Sequence, residues 1–294
     1  MPAHSSETNA NFKIAIALNV AIVAMQAVYG FLSHSVALIA DAGHNLTDVL
    51  SLMLALGANL LASRPPTKKR TYGFRRTTIL AALFNAMILL VTTGAIVFAA
   101  IERLSHPVPV EGATVSVVAG IGIILNAASA WLFARGRKAD LNTKAAFLHM
   151  AGDAAVSAGV VVAGIVILTT GALWIDPVMS IIISAVIAFG TWSLLRDSFN
   201  LAADAVPSEI DAGAIETYLK SVPGVAEVHD LHIWAMSTQH AVLTAHLVIP
   251  QRAVEDDFLF LIARELQTRY HVEHSTLQVE RGSTPCELAA SHVI

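Results

Sequence analysis

Five stretches of the chain contain no Asp, Glu, Lys or Arg: residues 14–40, 77–101, 112–134, 154–175 and 177–195. A helix needs about 20 mostly apolar residues to cross the hydrocarbon core of a bilayer, so runs of this length predict membrane spans. Leu-Ser-His-Ser at 32–35 divides the first run, which predicts helix 1 over 12–32 and helix 2 over 36–62. Pro65-Pro66 stops helix 2, because proline lacks an N–H and clashes with the preceding turn. Helices 3 to 6 are expected over 77–101, 113–135, 144–170 and 174–198.

The pattern changes after Val206-Pro207. Glu209 to Ser221 reads as an amphipathic helix, Val225–Ala235 and Ala241–Ile249 as strands, Ala253 to Tyr270 as a helix and Ser275–Glu280 as a last strand. The predicted fold is therefore an α-helical membrane protein, with six transmembrane helices followed by a small cytosolic α+β domain of αββαβ order. The expected organisation is a tail at 1–11, a six-helix transmembrane domain at 12–206, a cytosolic C-terminal domain at 207–283 and a tail at 284–294.

Composition supports this division. Of 294 residues, 55% are hydrophobic and 14% charged, against about 25% charged in soluble chains. A single cysteine, Cys286, excludes an internal disulfide framework and a four-cysteine zinc ribbon. The net charge of -4 gives no sign of nucleic-acid binding. That value is the sum of opposites: +3 over residues 1–206 and -7 over 207–294, where seven histidines also lie. An acidic, His-rich soluble part suits cation collection.

The basic residues set the expected topology. Arg64, Lys68, Lys69, Arg70, Arg75 and Arg76 lie between helices 2 and 3, and Arg135, Arg137, Lys138 and Lys144 between helices 4 and 5, whereas the other face offers only Arg103. By the positive-inside rule both termini are cytoplasmic, and a multi-pass protein of the bacterial inner (plasma) membrane is expected. Met1 to Asn11 carries no basic leader region, so no removable signal peptide is expected.

Ionisable residues inside the spans carry the functional signal, since each is costly to insert and such groups mark ion paths. Helix 2 holds Asp41, His44 and Asp48, and helix 5 holds His149 and Asp153, so each presents His-x-x-x-Asp. That spacing puts the two side chains on one helix face, one turn apart. One such pair could be a structural hydrogen bond between helices; two copies point to two imidazoles and two carboxylates, a complete tetrahedral shell for zinc. Cobalt or cadmium also suits these donors, while magnesium and calcium prefer oxygen alone. Asp41 either orients the His44 imidazole or sits wetted near the outer face. Depth poses a difficulty: at about 1.5 Å per residue, His44 lies about 12 Å from the outer end of helix 2 and His149 about 8 Å from the inner end of helix 5. The pairs meet only if a helix tilts or runs beyond the bilayer.

Leu38-Ile-Ala-Asp-Ala-Gly-His-Asn-Leu-Thr-Asp48, Tyr72-Gly-Phe-Arg-Arg76, Leu80-Ala-Ala-Leu-Phe-Asn85, Asp176-Pro177 and His229-Asp-Leu-His-Ile-Trp234, with the six spans, resemble the cation diffusion facilitator family, especially its zinc-efflux branch. The resemblance covers nearly the whole chain. It implies a homodimer that exports a divalent metal, most readily Zn2+, in exchange for protons by alternating access. It also implies that His44, Asp48, His149 and Asp153 bind the transported ion. In such proteins Arg76 and Asp204 would stand where a charge lock joins protomers, or else are solvated charges. Thr77-Thr78 departs from the pattern, replacing an acidic residue found in many relatives. The resemblance further implies Zn2+ as a regulatory ligand of the C-terminal domain, through positions that look like His246, His274, Glu280 and Cys286. His240 and His246 share strand parity.

Two other functions are less well served by these residues. An intramembrane zinc hydrolase keeps a coordination position open for water and uses a base as in His-Glu-x-x-His, a motif this sequence lacks. A membrane metal sensor would not need costly ligands in two spans. The expected protein is thus a secondary transporter whose partners are the lipid bilayer, a divalent metal, protons and a second copy of itself, with no nucleic acid. Cadmium, cobalt, manganese and iron stand as alternative cargo.

Overall fold

A computed structural model describes residues 3–134, 141–250, 256–284 and 286, and their side chains except those of 3–13, 15, 51, 52, 55, 56, 59, 133, 134, 141–149 and 256. Six long helices come first: α1 (Ala3–Leu32), α2 (Val36–Ala62), α3 (Thr77–Ser105), α4 (Gly112–Ala134), α5 (Leu141–Thr170) and α6 (Ile175–Ala202). Among the described residues, Thr77–Ser105, Gly112–Leu132, Met150–Thr170 and Ile175–Ala202 are each long and apolar enough to cross a membrane, and Ile16–Leu32 is a shorter apolar helix. The α+β part follows as α7 (Ala212–Ser221), β1 (Glu227–Ala235), β2 (Ala241–Val248), α8 (Asp256–Tyr270) and β3 (Val272–Glu280). The fold class is that expected, and the helices outrun their charge-free runs. α3 continues through Glu102 and Arg103 to Ser105, because a charge marks the edge of the apolar layer rather than the end of the hydrogen-bonded helix.

The chain forms two units, one of residues up to Leu54 with Phe84–Ser193, the other of Ala55–Leu83 with Leu194 onward. In the first unit α4 packs along α5 and α1 along α4. Small residues allow the α4–α5 approach. A Cβ on Gly164 would lie 2.4 Å from the Ser116 hydroxyl oxygen and 2.9 Å from the Gly112 carbonyl oxygen. Such stripes let helices approach where lipid removes any hydrophobic drive to associate. An apolar cluster of Ala37, Leu38, Ala40, Val115, Val118, Ala119, Val160, Ile183 and Ile187 fills the space between helices.

The start of α2 is pinned. His34 has φ of 56° in the tight α1–α2 connection, and the helix that follows has free N–H groups at its first turn. Asp176, at the head of α6, accepts from the N–H of Val36 at 2.7 Å and of Ala37 at 3.4 Å, and from the Ser35 hydroxyl. The Arg103 guanidinium donates to the His34 carbonyl. A carboxylate from another helix thus caps α2 and fixes its axial position.

In the second unit β2 is central, antiparallel to β1 and parallel to β3. The parallel pairing requires the α8 crossover. Both faces of β2 are covered, which explains why Ala241–Ile249 reads as a continuous apolar run rather than an alternation. Ile215, Leu219, Leu243, Leu247, Ile262 and Leu266 form the core. α7 starts later than Glu209 because Asp211 is the N-cap, accepting from the Ala214 N–H at 3.0 Å.

Two glycines give opposite expectations. Gly164→Ala should lower the thermal midpoint of the purified protein in detergent, since overpacking costs about 1–3 kcal/mol. Gly190→Ala, whose Cβ would meet nothing within 4 Å, should leave it unchanged or raise it.

Candidate metal centres

In α2 the residues Asp41, His44 and Asp48 recur at intervals of three and four, the spacing that stacks side chains on one helix face. Asp153 on α5 meets that face. His44 Nε2 lies 3.4 Å from Asp153 Oδ1, and His44 Nδ1 lies 3.9 Å from Asp48 Oδ2. One ligand atom from each of the three residues falls within 4.8 Å of the others. An imidazole and two carboxylates at this separation fit a divalent cation, which draws such donors to about 2.0–2.2 Å. Asp153 is buried, whereas the His44 and Asp48 side chains each keep 19% of their surface exposed. His149 occupies α5 one turn before Asp153, and its side chain lies outside the described residues.

Asp41 is neither wetted nor hydrogen-bonded to the His44 ring. It is 0% exposed and accepts from Gln26 Nε2 of α1 at 2.6 Å and from the Ser157 hydroxyl of α5 at 3.0 Å. Asn45 Nδ2 donates to Gln26 Oε1 at 3.1 Å and to the Asp41 carbonyl at 3.0 Å. Gln26, Asn45 and Ser157 surround Asp41 beside the three charged residues, and their uncharged side chains gave no prior signal.

A second cluster lies in the α+β part. His229, His246, Glu280 and Cys286 each place one ligand atom within 4.8 Å of the others. His246 Nδ1 is 3.0 Å from Glu280 Oε1, His229 Nε2 is 3.3 Å from Glu280 Oε2, and Cys286 Sγ is 3.7 Å from His246 Nδ1. Two nitrogens, a carboxylate and a thiol match a tetrahedral zinc set. Asp230 Oδ2, 3.3 Å from His246 Nε2, is placed to orient that imidazole. Partial burial opposes ionisation of Glu280. Hydrogen bonds from Gln278 and the Cys286 thiol, with the charge of His229 and His246, nonetheless hold its carboxyl below the usual carboxylate range.

The cluster differs from the expected set in one member. His274 pairs with Val242 along the sheet and sets its ring against Tyr72, with centroids 6.1 Å apart, whereas His246 pairs with Gln278. His229 stands in its place because of a bulge. From Ala235↔Ala241 to His232↔Thr244 the β1–β2 register is regular, but it shifts between His232 and His229, where Asp230 adopts φ of 51°. The shift brings His229 opposite His246 instead of Leu247. His240 precedes β2, bonds Ser237 and lies 3.0 Å from Glu273. Arg76 pairs with Asp204 within one chain, both about half exposed. Thr77 donates to the Phe74 carbonyl at 2.6 Å, and Thr78 accepts from the Thr238 N–H at 3.1 Å, so the two threonines cap and tie rather than ionise.

The chain was compared with known proteins. A family model described as the cation efflux transmembrane domain matches residues 12–201, and one described as the cytoplasmic domain of cation efflux proteins matches 207–282. The metal cation efflux system protein CzcD of Cupriavidus metallidurans is 37% identical over 288 residues, covering 97% of this chain and 90% of that protein. The zinc transporter ZitB of Escherichia coli is 38% identical over 271 residues, covering 92% and 86%. A Bacillus subtilis protein named as a cadmium, cobalt and zinc/H+-K+ antiporter is 32% identical over 285 residues, covering 94% and 91%. A solved metal-bound C-terminal domain of the CzcD transporter is 34% identical, covering 24% of this chain and 99% of that one, with a TM-score of 0.22.

Zinc titration of the full-length protein separates the two ligand sets. Loss of a partner behind a metal ligand already costs about 10–100-fold in affinity, so His229→Ala should weaken one bound zinc by at least about tenfold. His274→Ala should leave the titration unchanged; the reverse pattern would favour the sequence-based set.

Proposed function

The chain belongs to the cation efflux family of membrane metal transporters, and we propose that it exports Zn2+ in exchange for protons through one tetrahedral site between α2 and α5. It is a multi-pass metal-cation transporter and not an enzyme. His44, Asp48, His149 and Asp153 are the proposed ligands of the transported ion. The observation that carries the reading is the approach of His44 to Asp153 across two helices, with Asp48 on the same face. Four protein ligands would close the shell of zinc, which suits carriage and leaves no water to activate.

The donors supply proton coupling. Zinc takes neutral imidazole and ionised carboxylate, so loading the ion expels protons. Imidazole titrates near 6.5 when unperturbed. Facing a more acidic compartment, His44 and His149 would reprotonate and release the ion. The basic loops after α2 and α4 support an orientation with both termini and the α+β domain in the cytoplasm of a bacterium. The acidic domain, over 207–283, is proposed to mediate homodimerisation and, with Cys286 of the tail that follows it, to take a regulatory Zn2+ at His229, His246 and Glu280. An ion there would bias one state of the dimer.

Purified protein in liposomes, offered zinc, cadmium, cobalt, manganese and iron in turn, tests the assignment. Zinc is expected to be carried best, and Asp48→Ala and His149→Ala each to abolish its transport; retained transport in both variants refutes the ligand set. Zinc uptake into everted vesicles should also fall when the pH gradient is collapsed. Unaffected uptake would refute proton exchange while leaving the metal site standing.

A further inference from the structure

Toward the start of α2 the triad of His44, Asp48 and Asp153 is covered: Ala37, Ala40 and Asp41 are all buried. One turn on the buried side lie Asp41 and Ser157, with Gln26 and Asn45 bonded beside them; all four are 0% exposed and come from α1, α2 and α5. Asp153 and Ser157 are four residues apart on α5, as His44 and Asp41 are three apart on α2, so the layer and the triad are stacked between the same two helices.

This layer is an unusual seal. Apolar packing would close the path at no electrostatic cost, and the cluster around Leu38, Val118 and Val160 does so further on. Here a fully buried carboxylate receives only the Gln26 amide and the Ser157 hydroxyl, both at Oδ2. Among the described residues Asp41 Oδ1 and Asn45 Oδ1 are buried with no hydrogen-bond partner, and so are both side-chain atoms of Asn126 on α4. Buried polar atoms without partners cost free energy that entering water returns. The closed layer is therefore poised against a hydrated, open one. Gly122 of α4 lets the layer pack closely: a Cβ there would lie 3.2 Å from Gln26 Nε2 and 3.4 Å from Ser157 Oγ.

We propose that Gln26, Asp41, Asn45 and Ser157 form a polar clasp that gates the release side of the metal site. Its two hydrogen bonds to Asp41 hold α1 and α5 against α2 while the ion loads from the other side, and their parting admits water to the triad. The role rests on the transport reading above. It makes Asp41 a positioning residue that meets no metal.

The test uses the full-length protein in detergent with Cys286→Ala as background and Ala40→Cys, a near-isosteric change at a fully buried wall position, as reporter. The rate of reaction with a hydrophilic maleimide is measured alone and with Ser157→Ala or Gln26→Met added, and zinc binding is titrated on the same samples. Ser157→Ala should react about fivefold faster, the population shift that loss of one hydrogen bond gives, and Gln26→Met, which loses two, at least as fast, while the zinc affinity of each stays within about threefold of the background. An unchanged reaction rate overturns the proposal. So does a faster rate accompanied by loss of zinc binding, which is general loosening of the bundle. Asp153→Ala in the same background reads the parent assignment separately: if it keeps all its zinc, the ligand set fails, and the maleimide rates still decide the clasp.

Discussion

A carboxylate in a helix that crosses a bilayer must find a partner, and in this chain that requirement joins α2 to α5. Asp153 is buried and lies 3.4 Å from His44 on the other helix. Without such pairing each charge would be excluded from the apolar layer at a cost of several kcal/mol. With it, the helices are held where two carboxylates and an imidazole face one point. The same need acts at Asp41, met at Oδ2 by neutral donors, and at Asp176, met by the N–H groups at the head of α2. Three buried carboxylates thus act on α2: one caps it, one clasps it and one pairs with its histidine.

The division of labour between the two parts follows from their solvents. Buried charge is expensive in the membrane part, so few ionisable residues occur there, and His44, Asp48 and Asp153 lie together. In the α+β part charge is cheap, and the ligand cluster is built instead by backbone geometry. One bulge in β1 moves His229 across from His246, and the end of β3 brings Glu280 to both. Both clusters suit a borderline cation, and only the α+β cluster contains sulfur.

How much of this was legible in the sequence depends on the signal involved. The six long helices followed from charge-free runs, and the order αββαβ from periodicity and turn residues. Helix ends were less legible: α1 begins at Ala3 and α6 runs to Ala202, because charges and polar residues outside the bilayer do not interrupt backbone hydrogen bonding. Two copies of one spacing pointed to helices 2 and 5 as sharing a site, and the approach of His44 to Asp153 is read from the structure alone. Gln26, Asn45 and Ser157 were not foreseen, since a lone amide or hydroxyl in an apolar run resembles ordinary helix packing. The fate of Asp41 depended on those three. His229 was overlooked for a different reason: a regular hairpin through Ala235 and Ala241 would set it opposite Leu247, and no residue pattern announces the bulge at Asp230 that shifts it.

The central claim is that one ion is held by side chains of both α2 and α5. X-ray absorption at the zinc edge tests it directly on full-length protein carrying His246→Ala, which removes a ligand of the α+β cluster. The account predicts a four-coordinate shell of nitrogen and oxygen at about 2.0–2.1 Å with imidazole scattering and no sulfur. A six-coordinate oxygen shell, or a sulfur neighbour at about 2.3 Å, would contradict it.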